Sequence, residues 1–148
     1  MAAFKFRLQK VLDYRQSTVE RLRLELAAHN LQRDQENKRL EEMRRAERDV
    51  LAEQQALHAQ ACRVDDLLQL ADQTDRIRIR IVDQMSVVER LAAEAELLQH
   101  RVDVASKNSK VLEKLREHHA DDFHIDELHF EQNETAETAA LVRQRQQR

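Results

Sequence analysis

Residues 71–82 read "ADQTDRIRIRIV", and the fold turns on whether this is a strand, a turn or a piece of helix. From Thr74 to Val82 charge and branched aliphatic alternate with a period of two, the pattern of a half-buried strand. Just before lies Ala71-Asp72-Gln73-Thr74-Asp75, a cluster of capping residues near the centre of the chain. Asp72, Thr74 or Asp75 can each accept the free N–H groups of a new helix. The 148 residues contain no glycine and no proline, so hairpin turns that could supply a partner strand are missing, and a lone strand has nothing to pair with. The stretch therefore predicts a turn at about 72–75 and the first turns of a second helix after it. Ile77 and Ile81 then share one face and Ile79 another.

The rest of the composition agrees with helix. Charged residues make up 36% of the chain and aromatics 3%, the profile of long helices and coiled coils rather than of a packed globule. The apolar share of 41% is too high for a disordered acidic tail. Four Phe, one Tyr and no Trp supply too little bulk for a compact core, so burial should take the form of a seam.

Spacing locates that seam. Positions alternately three and four apart from Lys5 to Ala71 are apolar in thirteen cases of twenty, against about eight expected from composition. They include Leu8, Leu12, Val19, Leu22, Leu26, Leu40, Met43, Val50, Leu57, Val64 and Leu68. A sustained period of 3.5 residues marks a helix with one narrow buried stripe. His29, Arg33, Glu36, Glu47 and Gln54 interrupt it. Such residues either fix register or lay their stems along a thin interface with their heads in water; the second reading is the simpler. A second series from Ile77 runs through Ile81, Val88, Leu91, Ala95, Leu98, Val102, Ala105 and Leu112, with nine of its first eleven positions apolar. Beyond Leu112 only Phe123, Phe130 and Ala140 of eight positions are apolar. The seam decays towards the C-terminus while helical composition continues.

The expected fold is all-α: two long helices, about 4–71 and about 76–146, forming an antiparallel coiled-coil hairpin within a single domain, 1–148. One unbroken helix is the alternative. Charge order favours the hairpin. A turn near residue 73 sets residue i opposite about 147 minus i, so the basic segment 5–23 faces the acidic segment 124–142, which carries no Lys or Arg. Arg76, Arg78 and Arg80 at the start of a helix oppose its dipole, but in the hairpin they meet the last carbonyls of the first helix. With Ile79 they form a tip patch that serves either to stabilise the turn or to dock a partner.

Much chemistry is excluded. A glycine-rich phosphate loop cannot be built, no paired cysteines offer a metal spacing, and a seam one residue wide encloses no pocket for a small molecule. No catalytic residue, cofactor site or metal site is assigned. His118, His119, His124 and His129 lie among Asp121, Asp122, Asp126 and Glu127, donors suited to Zn²⁺ or Ni²⁺, but such spacings are common in any charged helix and a solvated face is the plain reading. Net charge is -3, giving no drive towards nucleic acid. The basic patch at 5–23 is short, with only Phe4, Phe6 and Tyr14 to stack on bases. No apolar run spans a bilayer, and no apolar signal core follows the basic start. The lone Cys62 cannot form an internal disulfide, and a reduced cytoplasmic setting fits.

The two ends carry a pattern of their own. Residues 4–15, "FKFRLQKVLDYR", run aromatic, basic, aromatic, then Leu, two further apolar positions and Arg. Residues 110–118, "KVLEKLREH", are followed by Phe123 and by "EQNETAETA" at 131–139. Both blocks resemble those of the FliJ family of flagellar protein-export components. The C-terminal block departs from the family pattern at Asn133, where Lys is usual, and at Ala136, where Asp is usual; Glu137 matches. The resemblance implies an antiparallel coiled coil like the central stalk of rotary ATP synthases. It implies no catalysis, no transmembrane segment and a place in the cytoplasm, peripheral at the cytoplasmic face of the cell membrane. The end carrying both termini would enter the ring of the export ATPase, FliI. The coiled coil would link that ring to the export gate protein, FlhA, and export chaperones would associate. The processes implied are type III secretion, flagellum assembly and, through motility, chemotaxis. Partner-binding candidates on these grounds are Phe4, Phe6, Leu8, Leu12, Arg15, Leu112, Leu115, Phe123, Phe130, Glu131 and Gln132, with Arg76, Arg78, Ile79 and Arg80 as the tip patch. A coiled-coil scaffold or dimeric tether without an ATPase partner is the competing expectation. It explains the periodicity equally well but not the pattern at the ends.

Overall fold

In the computed structural model, which describes residues 4–146, the chain is two long helices packed against each other. The first three and last two positions of the expected domain lie outside the described residues. Helix α1 runs Gln9–His58 and helix α2 Val64–Gln146. Among the described residues there is no strand.

The turn differs from the sequence expectation. It occupies residues 59–63, not 72–75, and the whole of "ADQTDRIRIRIV" lies inside α2. Thr74 is not a cap. Its hydroxyl donates back to the Leu70 carbonyl at 2.8 Å, the usual way a mid-helix threonine hides its polar group, and the residue is only 4% exposed. Asp72 is spent on Arg76, at 2.6 Å one turn on. The real turn, His58-Ala59-Gln60-Ala61-Cys62-Arg63, needs no special residue, because no described residue has positive φ. The Gln60 N–H donates to the Leu57 carbonyl and the Asp66 N–H to the Arg63 carbonyl, at 3.1 and 3.2 Å. Asp65 and Asp66 occupy the first turn of α2, where the helix dipole welcomes a negative charge.

Two compact units make up the chain. The body is Arg21–Val102; the head is Met1–Glu20 with Asp103–Arg148. Within the body the helices run antiparallel, and the seam is nearly continuous. Leu22, Leu40, Val50, Leu70, Ile81, Leu91, Ala95 and Val102 are buried, with the other seam positions between them half-buried. Every position of the second series from Ile77 to Leu112 is at least half-buried in its own unit. Extended backwards, the series takes in Thr74, Leu70 and Leu67. Val64 and Leu68, expected on the first seam, belong to α2 and are exposed.

Three of the five polar interruptions of the first seam, His29, Glu36 and Glu47, make bonds across the helix pair, whereas Arg33 lies 3.9 Å from its neighbour Asp34. The Gln84 amide donates to the Glu36 carbonyl at 3.0 Å and to its Oε2 at 2.7 Å. Arg78 donates to Glu47 at 2.8 Å. Nε2 of His29 lies 3.2 Å from the Leu91 carbonyl and 3.3 Å from Glu94 Oε2. These contacts, unlike apolar ones, work in only one register.

The head is a shorter version of the same pairing. Phe6, Leu12 and Val19 are buried, as is Ser109, which donates to Glu113 at 3.1 Å within α2. Gln16 donates to the same Glu113 carboxylate across the pair, at 3.1 Å. Cross-helix contacts in both units join residues whose numbers sum to between 120 and 129. The expected sum of 147 is overturned, and so is the facing of 5–23 on 124–142. In the head, α1 lies against the early part of the α2 segment, and every described residue from Phe130 onwards is exposed. This last stretch is a tail without a partner helix.

Candidate partner-binding surfaces

The head builds its surface from two ingredients. Residues 4–8 precede α1 and are held by packing. The Phe4 ring lies 5.8 Å from the Phe123 ring at an interplanar angle of 50°. The Phe6 ring meets the His119 ring nearly edge-on, also at 5.8 Å, both within the range in which aromatic pairs attract. Around this anchor a shallow groove is lined by Phe4, Phe6, Lys5, Arg7, Lys10 and Arg116. Among the described residues no carboxylate lies within ion-pair distance of those four cations. The groove is therefore a site of uncompensated positive charge with aromatic carbon beneath it.

The eleven end residues singled out in the sequence divide by burial. Phe6 and Leu12 (1% exposed) form the core of the head. Phe4, Leu112, Leu115 and Phe123 are half-buried beside it. Leu8 and Arg15 face outwards on the α1 side. Phe130 (64% exposed), Glu131 and Gln132 stand on the bare tail. Residues missed by the sequence reading complete the surface. Val11 and Tyr14 are exposed beside Leu8, and Ile125, Leu141 and Val142 are exposed on the tail. A spacing signal was present for the tail. Ile125, Leu128, Gln132, Thr135, Ala139 and Val142 recur three and four apart, a stripe about 200° around the helix from the Phe123 face at 100° per residue. Following the old seam past Leu112 conceals it.

In the body, the expected tip patch sits well inside α2 and not at the turn. Arg76 and Arg78 are held by Asp72 and Glu47, while Arg80, Ile79 (63% exposed) and Val82 face solvent. Half-buried Cys62 is in the turn itself.

Chemistry of other kinds has little to work with. Thr74 and Ser109 are the buried polar residues among those described, and no three His, Cys, Asp or Glu of the described residues converge to hold a metal. No helix among the described residues is long and apolar enough to cross a membrane.

These features define a class: an antiparallel helical hairpin whose distinctive groups lie on its outside. The family model described as flagellar FliJ protein matches residues 4–148, and the chain belongs to that family of flagellar export-related coiled-coil proteins. No curated protein and no solved structure matches it.

Proposed function

We propose that this protein is the non-enzymatic coupling stalk of the flagellar type III export apparatus. The observation that carries this reading is the head. It has a complete core of its own, Phe6, Leu12 and Val19, yet keeps a cationic groove and a row of outward apolar side chains that no part of its own helix pair covers. Exposed aromatic and apolar groups ringed by charge are the usual make-up of a protein-binding site. The groove and the tail engage the export ATPase ring, FliI. The body, rigidified by its cross-helix bonds, carries the connection to the gate protein FlhA, and the patch around Ile79, Val82 and Arg80 is left for that second partner or for export chaperones. The protein works in the cytoplasm, peripherally at the cytoplasmic face of the membrane.

The test uses surface variants, because replacing Phe6 or Leu12 would damage the head itself. Phe130→Ser with Arg15→Glu should weaken capture of the purified export ATPase while leaving helicity intact by circular dichroism. Arg80→Gln with Ile79→Ser should leave that capture unchanged and weaken binding to the gate protein. If the body variant lost the ATPase and the head variant kept it, the assignment of ends would be reversed. If the unmodified chain bound neither, the scaffold or tether reading would replace the stalk.

A further inference from the structure

The tail and the head are complementary to each other, yet they cannot meet within one molecule. Between Glu117 and Val142 there is no Lys or Arg, while Asp121, Asp122, Asp126, Glu127, Glu131, Glu134 and Glu137 bring seven carboxylates. No ion pair joins any of these to a cation among the described residues. Glu127, Glu131 and Glu134 each precede a residue of the stripe, at Leu128, Gln132 and Thr135, so they run along one shoulder of it. The head offers the counterpart: Leu8, Val11 and Tyr14 exposed, flanked by exposed Arg7, Lys10 and Arg15. One surface carries Ile125, Leu128, Ala139 and Val142 with an acidic border, the other Leu8, Val11 and Tyr14 with a basic border. Helix α2 continues unbroken to Gln146, carrying the tail onward from the head residues it leaves at Phe123. Folding back would break the helix.

We infer that the occupant of both surfaces is a second copy of this chain, the acidic tail of each molecule lying along the basic head of the other. The alternative dimer, tail on tail, would set Glu131, Glu134 and Glu137 of one copy beside the same three carboxylates of the other. The reciprocal exchange uses both heads and both tails once each, so it closes as a two-fold dimer and does not propagate. Exposed charge pairs of this kind contribute through number and complementarity, and salt screens them. The dimer covers the same head and tail that the stalk reading gives to the ATPase, so ring and second copy compete for them. That competition rests on the ATPase reading; the dimer does not.

Sedimentation equilibrium on the full chain, with no other protein present, tests this. A dimer is expected at low salt and dissociation at high salt. Reversing the head (Lys5→Glu, Arg7→Glu, Lys10→Glu) should weaken self-association by about tenfold or more, and so should reversing the tail (Glu131→Lys, Glu134→Lys, Glu137→Lys). All six side chains are exposed, and circular dichroism checks that each variant keeps its helices. An equimolar mixture of the two variants should dimerise again, because every tail then meets a head of opposite sign. A monomer at low salt, a dimer indifferent to both reversals, or a mixture that stays monomeric would each overturn the inference. ATPase capture by the same variants is a separate measurement, and its failure would bear on the stalk reading alone.

Discussion

Body and head are built from the same kinds of residue in the same helices, yet they dispose of their apolar side chains differently. In the body the two seam series meet and consume each other, and His29, Glu36 and Glu47 among the polar interruptions are tied across the pair. In the head the seam closes over Phe6, Leu12 and Val19 and then stops, leaving the tail fully exposed from Phe130. Helicity is common to both, so what separates them is where the helix has a partner. A long helix with no partner gains little from packing, and a chain that keeps one exposes a surface at some cost in stability. The body is the part whose helices pair along their whole length, and the head is the part that keeps a length of helix unpaired.

The comparison breaks first, and with the largest effect, at Leu91, which is 2% exposed in the body seam. Leu91→Asp buries a charge with no partner and should destabilise the protein by about 3 kcal/mol or more, read as a fall in melting temperature by circular dichroism. Leu12→Ala in the head leaves a cavity at the best-buried side chain of that unit and should cost about 2–4 kcal/mol. Its loss of protection, followed by amide hydrogen exchange, should concentrate in residues 9–20 and 103–123. Spread evenly through the body, it would mean that the two units unfold as one.

How much of this could be read beforehand is decided by the same contrast. The seam was legible, because burial against one partner imposes a 3.5-residue period and each long helix pays for every exception. The turn was not, because capping chemistry is short-range and ambiguous. Thr74 and Asp72 have the right side chains for a cap, but a threonine can satisfy itself on Leu70 and an aspartate on Arg76 without the helix ending. The true start of α2 had a signal in Asp65 and Asp66. It also had one in the phase of the second series, which runs back through Leu67 and so leaves no room for a turn at 72–75. Charge order misled the register for a physical reason: exposed ion pairs are too weak to dictate which segments face each other. The basic segment in the head lies against α2 residues that include Lys107, Lys110, Lys114 and Arg116. The acidic block, assigned to it on charge, is the tail. Of the candidate surface, the outward Leu8, Arg15 and Phe130 were legible as pattern. The tail stripe from Ile125 was hidden by continuing a seam that had ended.

An intermediate effect tests whether the polar ties of the body matter as bonds. Gln84→Ala removes two hydrogen bonds to Glu36 and leaves a half-buried carboxylate short of a donor. Such a loss should cost about 1–2 kcal/mol. Replacing both residues, Gln84→Leu with Glu36→Leu, removes the donor and the side-chain acceptor together, and the remaining main-chain carbonyl lies inside α1, so most of that stability should be recovered. A double-mutant cycle measures the difference as a coupling energy. Without coupling, the two side chains would merely lie along the interface.

The smallest effect belongs to the tail, and its smallness is what the comparison requires. Every described residue from Phe130 to Gln146 is exposed, and the threonines there bond locally, Thr135 to the Gln132 carbonyl and Thr138 to the Glu134 carbonyl. Ending the chain after Gln132 removes Leu141 and Val142, both large and apolar, but both already in water. The hydrophobic gain from burying them is absent, so their loss has nothing to subtract. Under dilute, high-salt conditions that disfavour any dimer, the truncated chain should melt within about 0.5 kcal/mol of the full one. In the full chain, amides of residues 133–146 should exchange quickly by local fraying while those around Leu91 exchange only on global opening. A truncation as costly as Leu91→Asp would mean that the tail is packed in solution, and the division between a part paired throughout and a part left unpaired would fall with it.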